Sequence, residues 1–575
     1  MIETVDQVES VSERLLSARV MAVDTETTGL DPHTSRLRLI QIAVEGSDTV
    51  IFDCFSLLPD AVEKINEILT SPSVKVFQNA KFDLQFLRSE MISVSGWIFD
   101  TMLAARLLRT SGGPRKVGLA SLAEHYLHRV LPKDGQKSDF SSQLTGRQLD
   151  YAAEDALILL ELRHQLLSEI KKHHLIEVAR VEFACVYAVA SLEYDGIYLD
   201  RKKWSALREE TEKMKTDALS ELYPFIGFPT VQLSMFDNQQ SYGNNVNSSR
   251  QVLKMLNDNG IHVEDTSKHS LAQYAKHPLV VSLLKYRQAS KALSSFLHSI
   301  PGQINKSTGR LHPQYSQIGA WSGRMSCSRP NIQQIPRGRA FRQCFTAPPG
   351  KKLIIADYSQ IELRVIAQVS GDKRMIKAYK NCEDLHSLTA ALILQKRIGT
   401  ITKKERQAAK AVNFGLVFGM GASGLRAYAL ETYGVEMSSE EAEVFKNRFF
   451  TAYGGVEAWH RELRRKKPGS SRTLAGRKHT YGKNSGMSGR YNTPIQGSAA
   501  DILKKALGML YVALKGTDTS IVAVIHDEIV LECNETKAEE TAQLLKNTME
   551  EAGSKYMKDV PVVAEVSIAD SWAGK

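Results

Sequence analysis

Two stretches decide the fold of the C-terminal part of this 575-residue chain: KKLIIADYSQIELRVIA (351–367) and IVAVIHDEIVLEC (521–533). The first places an apolar strand directly before Asp357 and then resumes helical spacing. The second predicts a strand, a corner that carries Asp527, and a returning strand. A strand-end Asp is often only a cap or turn residue. Placed together, however, Asp357 and Asp527 can bridge two Mg²⁺ ions for phosphoryl or nucleotidyl transfer.

Between these stretches lies ERQAAKAVNFGLVFGMGASG (405–424), which predicts a helix with a mixed stripe. Arg406, Lys410, Phe414 and Phe418 recur every four residues and therefore share one helical face. Arg and Lys can hold a triphosphate, and a Phe beside them can stack near a sugar and base. A plain amphipathic core helix is the alternative, but it gives no use for the two cations.

The first 170 or so residues alternate strand and helix patterns, which predicts an α/β unit. Three strands are expected at 19–26, 38–44 and 48–53, a strand leading into a helix at 75–87, and a long helix at 147–170. From about 176 to 300 the pattern is mainly helical. A polar stretch, SMFDNQQSYGNNVNSS (234–249), interrupts it and is expected to be a mobile loop.

Carboxylates cluster in this N-terminal unit. Asp24 and Glu26 lie two apart on a predicted strand, so both face the same side. Two further acids follow on predicted helices, each with a polar partner four residues earlier: Asn79 with Asp83, and Tyr151 with Asp155. Any one pair fits ordinary strand-end or surface acids. The whole set suits Mg²⁺ or Mn²⁺, two of which can cleave a phosphodiester.

This N-terminal set resembles the DEDD superfamily of 3′→5′ exonucleases, in the subgroup with Tyr in the third motif. The resemblance implies that the four carboxylates hold the metals and that Tyr151 orients the attacking water. Gln78 stands where relatives often have His, at a position that is not a metal ligand in that family.

The C-terminal motifs DYSQIELR, R-x3-K-x3-F-G-x2-F-G and HDE, in this order, resemble motifs A, B and C of family A DNA polymerases. Further segments of the same family are 192–200, 283–293, 321–336, 383–390, 473–477 and 492–506. The resemblance implies an RNase H-like α/β exonuclease domain (1–175) followed by an α+β right-hand polymerase (176–575). Its thumb would cover about 180–305, its palm about 306–370 and 490–575, and its fingers about 371–489.

The resemblance also implies roles for single residues. Asp357, Asp527 and the Tyr358 backbone carbonyl would bind two Mg²⁺ ions, for which Mn²⁺ can substitute. Lys410 would protonate the leaving pyrophosphate, and Glu362 would exclude a ribose 2′-OH. The incoming dNTP would be contacted by Arg406, Lys410, Phe414, Glu362, His386 and Tyr358. Primer-template DNA would be contacted by Arg324, Asn492, Gln496, His526, Arg477 and Arg490, and its backbone by the basic stretch 464–490.

The sequence departs from that family at two positions of interest. Phe418 stands where most relatives have Tyr, and Ser488 stands where they have Arg, the nearest one here being Arg490. Phe414, rather than Tyr, predicts discrimination against dideoxynucleotides. The chain begins at the exonuclease segment, so no 5′-nuclease domain is expected.

Composition sets broader limits. Lys and Arg outnumber Asp and Glu by 74 to 64, which is compatible with a polyanionic partner. Six scattered cysteines without a CxxC pair favour a reducing cytoplasm over a zinc site or disulfide framework. The N-terminus does not have the pattern of a signal peptide, and no apolar run reaches the ~18 residues that a membrane-spanning helix needs. We expect a cytoplasmic, monomeric protein of phage or bacterial origin, with an organellar origin left open. It is expected to act on primer-template DNA with dNTPs, and the involvement of accessory replication proteins is left open.

Three other functions compete with a proofreading polymerase. The first is a 3′→5′ exonuclease whose C-terminal module binds DNA but is inactive, and intact Asp357, Asp527, Arg406 and Lys410 argue against it. The second is a binding protein with both sites dead, which would require the loss of carboxylates that are present. The third is a related RNA polymerase or reverse transcriptase, against which Glu362 and the appended exonuclease argue.

Overall fold

The computed structural model describes residues 1–110, 112–131, 138–226, 245–465, 469–482 and 486–574, with the backbone of 230–231 and 240–241. Most of the polar stretch 234–249 and parts of the basic stretch 464–490 lie outside the described residues. Among the helices that are described, none is both long enough and apolar enough to cross a membrane.

Among its described residues, the N-terminal unit contains five strands and seven helices. Its strands are β1 (Val20–Thr27), β2 (Leu37–Ala43), β3 (Val50–Asp53), β4 (Val74–Phe77) and β5 (Ile98–Asp100). Its helices are α1 (Val5–Ser17), α2 (Cys54–Leu57), α3 (Val62–Thr70), α4 (Ala80–Ser89), α5 (Thr101–Arg109), α6 (Leu119–Leu127) and α7 (Gly146–Lys172).

The rest of the described chain is richer in helices. They are α8 (Ile176–Asp195), α9 (Arg201–Ile226), α10 (Ser249–Asp258), α11 (Lys268–Leu271), α12 (Pro278–Ala292), α13 (Arg339–Arg342), α14 (Ile361–Ser370), α15 (Lys373–Lys380), α16 (Leu385–Leu394), α17 (Lys403–Val417), α18 (Ala422–Tyr433), α19 (Ser439–Ala452), α20 (Gly454–Arg465), α21 (Met487–Ala513) and α22 (Ala538–Ser554). The strands are β6 (Ile197–Tyr198), β7 (Thr230–Val231), β8 (Gln240–Ser241), β9 (Arg310–Leu311), β10 (Gln314–Ser316), β11 (Ser326–Ser328), β12 (Lys351–Tyr358), β13 (Ser470–Arg472), β14 (Lys478–Thr480), β15 (Ser520–Ile525), β16 (Glu528–Asn534) and β17 (Ala564–Ala569).

The N-terminal sheet is mixed, with strand order β3-β2-β1-β4-β5. β1 pairs antiparallel with β2 and parallel with β4, so it lies at the centre of the sheet. Every residue of β2 is buried, which explains its continuous apolar run LRLIQIA. Helix α7 packs across β1 and β2. The central strand β1 is thereby covered by the helix that follows the sheet in sequence.

The C-terminal sheet is antiparallel, with strand order β15-β16-β12-β17. Its centre is apolar because residues 353–356 of β12 are all fully buried. β15 and β16 are joined by a two-residue turn at His526 and Asp527, since Ile525 pairs with Glu528 across it. The sheet edge next to this turn is where the strand-end carboxylates meet.

Three main hydrophobic cores organise the chain. One fills the N-terminal unit, the largest surrounds the C-terminal sheet, and a small one lies between α9, α10 and α12. Helix α8 contributes to the first two, with Phe183 in the N-terminal core and Leu192 in the largest one. The helix that follows the exonuclease-like segment in sequence is therefore an interface element between both units.

Candidate active sites

The first site lies on β1, α4 and α7. β1 extends through Thr27, so Asp24 and Glu26 are strand residues with side chains on the same face. Asp83 comes from the first turn of α4 and is 3% exposed, and Asp155 comes from α7 and is also buried. Thr25, between the two strand acids, donates a hydrogen bond from Oγ1 to Asp83 Oδ1 at 2.7 Å. Three separate elements thus bring the four predicted carboxylates together.

Of the two polar residues predicted to pair with these acids, Tyr151 contacts its acid and Asn79 does not. Tyr151 and Asp155 share α7, and the Tyr151 hydroxyl donates a hydrogen bond to the Asp155 carboxylate. Asn79 does not pair with Asp83 along a helix, contrary to the sequence prediction. It is the N-cap of α4 with a left-handed backbone (φ 65°), so the helix begins one residue later. Asp100 accepts hydrogen bonds from the Asn79 and Ala80 N–H groups at this helix start.

Burial raises the pKa of all four carboxylates, and for three of them the charge of another acid of the set raises it as well. Burial, together with the charge of Asp155, raises the pKa of Asp24 to about 7. Burial and the charges of Asp24 and Asp155 raise the pKa of Glu26 to about 9. Burial raises the pKa of Asp155 to about 6, and burial with the charge of Asp24 raises the pKa of Asp83. Within the described residues, no Lys or Arg forms an ion pair with any of the four.

The donor chemistry of this site fits divalent cations. As the side chains stand, no group of three or more His, Cys, Asp or Glu side chains in the described chain forms a ready metal cluster. Yet four oxygen donors with raised pKa values and no cationic partner are the set that Mg²⁺ or Mn²⁺ would neutralise. Such ions would replace the protons that burial and mutual repulsion otherwise retain.

The second site lies at the edge of the C-terminal sheet. Asp357, near the end of β12, is in register with Glu528, the residue that follows Asp527. The Tyr358 N–H donates to the Asp527 carbonyl oxygen at 3.4 Å, which fixes the two acidic positions against each other. His526 has a left-handed backbone (φ 59°), as the first position of this tight turn requires. Asp357 in β12 and Asp527 in the turn between β15 and β16 therefore lie at the same end of the sheet.

Charged neighbours connect this edge to the surrounding loops. Glu362, at the start of α14, forms an ion pair with Arg324. Burial raises the pKa of Glu362, the paired Arg324 lowers it, and the charge of Asp527 raises it, so Glu362 lies within electrostatic reach of that acid. Glu528 is buried and accepts a hydrogen bond from Trp572 Nε1 at 2.5 Å. Glu528 also pairs with Arg342 of α13 at 3.3 Å.

Helix α17 presents the predicted nucleotide-binding stripe. Thr402 and Glu405 form a capping box at its start, and α17 carries Arg406, Lys410 and Phe414. Phe418 follows the last helical residue as the C-cap, so the stripe ends one turn earlier than predicted. Three of the four stripe residues therefore lie on the helix, and the fourth, Phe418, caps its C-terminal end.

Residues of α16 lie against this stripe. The Arg406 guanidinium forms two hydrogen bonds with Asp384, at 2.7 and 3.0 Å. His386 packs 5.9 Å from the Phe414 ring and is 2% exposed. Burial, together with the charges of Arg406 and Lys410, lowers the pKa of His386 to about 4. His386 is thus a neutral, buried neighbour of the stripe.

Arg477 was predicted to contact DNA, but the structure buries it. Its side chain is 3% exposed and forms ion pairs with Glu182 and Asp501. Lys504, also fully buried, pairs with the same Glu182 at 2.6 Å. Despite burial, Lys504 and Arg477 hold the pKa of Glu182 below its usual value. Arg477 therefore stabilises the packing of α8 against α21 and has no open path to a DNA backbone.

The other predicted DNA contacts lie near open surface. His526 is exposed on its turn. Partial desolvation of its ring lowers its pKa, and the charges of Arg324, Arg337 and Arg342 also lower it. Arg490, Asn492 and Gln496 are half-buried residues of α21. Ser488 lies one turn before Asn492 on the same helix. Arg490 packs near the Tyr481 ring, at 5.8 Å.

Comparison with known proteins supports both halves of this arrangement. The family described as DNA polymerase family A matches residues 233–574. The chain belongs to DNA polymerase family A. A second family, described as 3′-5′ exonuclease, matches residues 1–171, the unit that carries the four-carboxylate site.

Among the relatives of this family A polymerase is DNA polymerase I of Aquifex aeolicus, 34% identical over 97% of each chain. DNA polymerase I of Chloroflexus aurantiacus is 30% identical over 97% of this chain, which spans only 62% of that relative. Among solved structures, the POL domain of Pol1 from M. smegmatis, in complex with DNA primer-template and dNTP, superposes with a TM-score of 0.83. The two chains are 28% identical, and the superposed region covers 100% of this chain and 99% of that chain.

Sequence reasoning missed several residues that shape the sites of this polymerase. Asp384, which holds Arg406, is the N-cap of α16 and accepts from the Ser387 N–H at 3.1 Å. The spacing D-x-x-S before an apolar run is a capping signal that the sequence already offered. Glu182, which pairs with Arg477, had no such signal because its partner lies 295 residues away.

Proposed function

We propose that this family A polymerase copies primed DNA templates from dNTPs and removes misincorporated nucleotides with its own 3′→5′ exonuclease. The observation that carries the proposal is the pair of carboxylate sites, each built in the domain whose chemistry needs it. The thumb, palm and fingers assignment belongs to the same proposal. The C-terminal sheet with Asp357 and Asp527 is the palm, and α17 belongs to the fingers.

In the polymerase site, Asp357, Asp527 and the Tyr358 carbonyl would hold two Mg²⁺ ions. These ions would activate the primer hydroxyl and stabilise charge on the leaving pyrophosphate. Lys410 supplies positive charge and a proton to that pyrophosphate. Arg406 contacts the triphosphate in exchange for part of its bidentate pairing with Asp384.

Nucleotide selection falls to the residues around this site. Glu362, ion-paired with Arg324, fills the space that a ribose 2′-OH would need. Phe414 stacks near the sugar and base, and the buried His386 supports it from behind. Arg324, Asn492, Gln496, His526 and Arg490 contact the primer-template, whereas Arg477 is not retained among them.

In the exonuclease site, Asp24, Glu26, Asp83 and Asp155 would hold two divalent ions, which would activate water and stabilise the leaving oxygen. Tyr151 has its hydroxyl on Asp155 and can orient the attacking water from there. Thr25 fixes the Asp83 carboxylate through its 2.7 Å hydrogen bond. The carboxylates themselves release protons when the ions bind.

Other properties follow as part of the same proposal. Mg²⁺ is the resident ion and Mn²⁺ can substitute. The protein acts as a monomer on primer-template DNA, with accessory replication proteins left open, in a phage-infected or bacterial cytoplasm. The named relatives are bacterial DNA polymerases, which supports that location.

The test of the proposal uses the wild-type protein with a 5′-labelled primer-template. With Mg²⁺ and dNTPs we expect primer extension, and with Mg²⁺ alone we expect stepwise primer shortening. Chelation by EDTA should stop both, and Mn²⁺ should restore both. Shortening that occurs without extension in either metal would leave an exonuclease with an inactive DNA-binding module.

A further inference from the structure

An exposed tryptophan lies on a rigid turn beside the polymerase site. In this turn the Gly323 N–H donates to the Ala320 carbonyl at 2.9 Å, and the Ala320 N–H donates to the Arg324 carbonyl at 3.0 Å. Gly323 has φ +89°, and a Cβ there would lie 2.5 Å from Arg477 Nε. The turn is therefore seated on the buried Arg477. Trp321 stands at its tip and is 60% exposed.

Two side chains hold this indole in place while leaving much of it open. The Arg109 guanidinium carbon lies 4.8 Å from the ring centroid, and the His479 ring lies 5.6 Å away and nearly perpendicular. In the part of the chain that the structure describes, no carboxylate pairs with Arg109. An exposed aromatic ring next to an uncompensated cation is the combination that binds single-stranded nucleic acid, by stacking and charge.

On one side, this tryptophan is tied to the polymerase site. Arg324, three residues after Trp321, pairs with Glu362, which senses the charge of Asp527. The hydrogen bonds of the turn fix the distance between Trp321 and Arg324. Trp321 therefore belongs to the same turn as Arg324, whose partner Glu362 lies at the polymerase site.

On the other side, the same platform touches the exonuclease unit. Arg109 is the last residue of α5, a nine-residue helix of about 14 Å whose first residue follows Asp100. Asp100 binds the start of α4, and its charge contributes to the raised pKa of Asp83. Helix α5 thus connects Trp321 with the exonuclease carboxylates.

The loop after α5 returns toward the same carboxylates. The Val117 carbonyl accepts a hydrogen bond at 2.9 Å from Nε2 of Gln78, which lies two residues before the start of α4. This loop carries Arg115 and Lys116, which add positive charge along the way. Arg115 and Lys116 therefore lie, along the chain, between Arg109 beside the indole and Val117 beside the start of α4.

We infer that Trp321, flanked by Arg109 and His479, is a stacking platform for the unpaired 3′ nucleotides of a primer strand that moves from the polymerase site to the exonuclease site. A primer end cannot occupy both carboxylate sites at once, and a mismatched end leaves the duplex as single strand. Its bases then lose their stacking partners unless the protein supplies one. This inference rests on the proposed function, and it adds the residue that receives the strand between the two reactions.

The test compares three substrates in Mg²⁺. They are a primer-template with three mismatched 3′ nucleotides, a matched primer-template with dNTPs, and a labelled dinucleotide too short to span from the exonuclease carboxylates to Trp321. Because stacking a base is worth about five- to a hundredfold in binding, Trp321→Ala should slow mismatch excision by about 5–20-fold. Matched extension and dinucleotide hydrolysis should change by less than about twofold, since neither uses the platform.

Two further variants sharpen the result. Trp321→Phe keeps an aromatic face and should restore most of the excision rate. Trp97→Ala removes another exposed indole (57% exposed) at the opposite end of β5 from Asp100, and it should excise like wild type.

The outcomes separate this inference from the proposed function. Wild-type excision by Trp321→Ala would overturn the platform while leaving the proposed function intact. An equal loss of dinucleotide hydrolysis would also overturn it, because the indole would then support the exonuclease fold. A wild-type protein that neither extends nor excises would refute the proposed function, and the platform with it.

Discussion

Asp24→Asn should stabilise the metal-free protein and abolish its exonuclease. In the folded chain, burial and the charge of Asp155 raise the pKa of Asp24 from an ordinary 3.8 to about 7. This shift of about three pK units, at ~1.4 kcal/mol each, gives a ceiling of ~4 kcal/mol for the cost of ionising Asp24 in the folded state. Because Asp155 can relax its own charge, we expect a gain of ~1–3 kcal/mol from the amide.

The pH dependence of this gain has a defined sign. Between the unfolded pKa near 3.8 and the folded pKa near 7, the unfolded chain binds fewer protons than the folded one, so wild-type stability falls as pH rises. The advantage of Asp24→Asn is therefore small at pH 4 and complete above pH 7. With Mg²⁺ the order should reverse, since only the wild-type site keeps all four carboxylates for the ions.

The assay is thermal unfolding in EDTA and in Mg²⁺, across pH 4 to 8, alongside exonuclease activity. Each 1 kcal/mol corresponds to roughly 2–4 °C in Tm for a unit of this size. Asp150→Asn is the matched control, because Asp150 is an exposed acid on α7, the helix that carries Asp155. A variant that melts at or below wild type in EDTA at pH 8, or a difference that does not vary with pH, would refute the reasoning.

Two other perturbations follow from the ion pairs. Arg477→Ala leaves Glu182 and Asp501 with less buried countercharge, so the free energy of unfolding measured with denaturant should fall by ~3–5 kcal/mol. The dependence of DNA affinity on salt concentration should stay that of wild type. A weaker salt dependence with unchanged stability would show instead that Arg477 contacts DNA. Glu362→Ala opens space for a 2′-OH and should raise ribonucleotide incorporation relative to dNTPs by roughly 10–100-fold in single-nucleotide kinetics. Glu362→Gln keeps the bulk and loses the charge pairing with Arg324, so it should stay close to wild type; equal ribonucleotide use by both variants would assign the effect to the ion pair instead.

The elements that carry both sites could be predicted from the sequence. Asp24 and Glu26 follow an apolar run, and Asp357 follows another, so the sequence pattern places these acids toward the ends of predicted strands, with Asp24 and Glu26 on the same face. The helix of Arg406, Lys410 and Phe414 follows from their spacing of four, and its capping box fixes the start. β5 is only three residues long, which is too short for an alternation pattern to show.

The sequence does not show which residues that are far apart along the chain become buried against each other. Arg477 lies in a basic stretch and has the composition of a DNA contact, yet its partner Glu182 comes from α8. A single sequence does not show which acid will fold beneath a given Arg. Asn79 illustrates a local failure, because its left-handed backbone at the start of α4 is set by Asp100 from β5, a strand the pattern did not reveal.

The most direct test of the central claim, two independent active sites in one chain, is a parallel assay of Asp357→Ala and Asp24→Ala on one labelled primer-template. Asp357→Ala should lose extension by several orders of magnitude and still shorten the primer when dNTPs are withheld. Asp24→Ala should extend normally and fail to shorten it. Loss of both activities in either variant, or retention of extension by Asp357→Ala, would contradict the account.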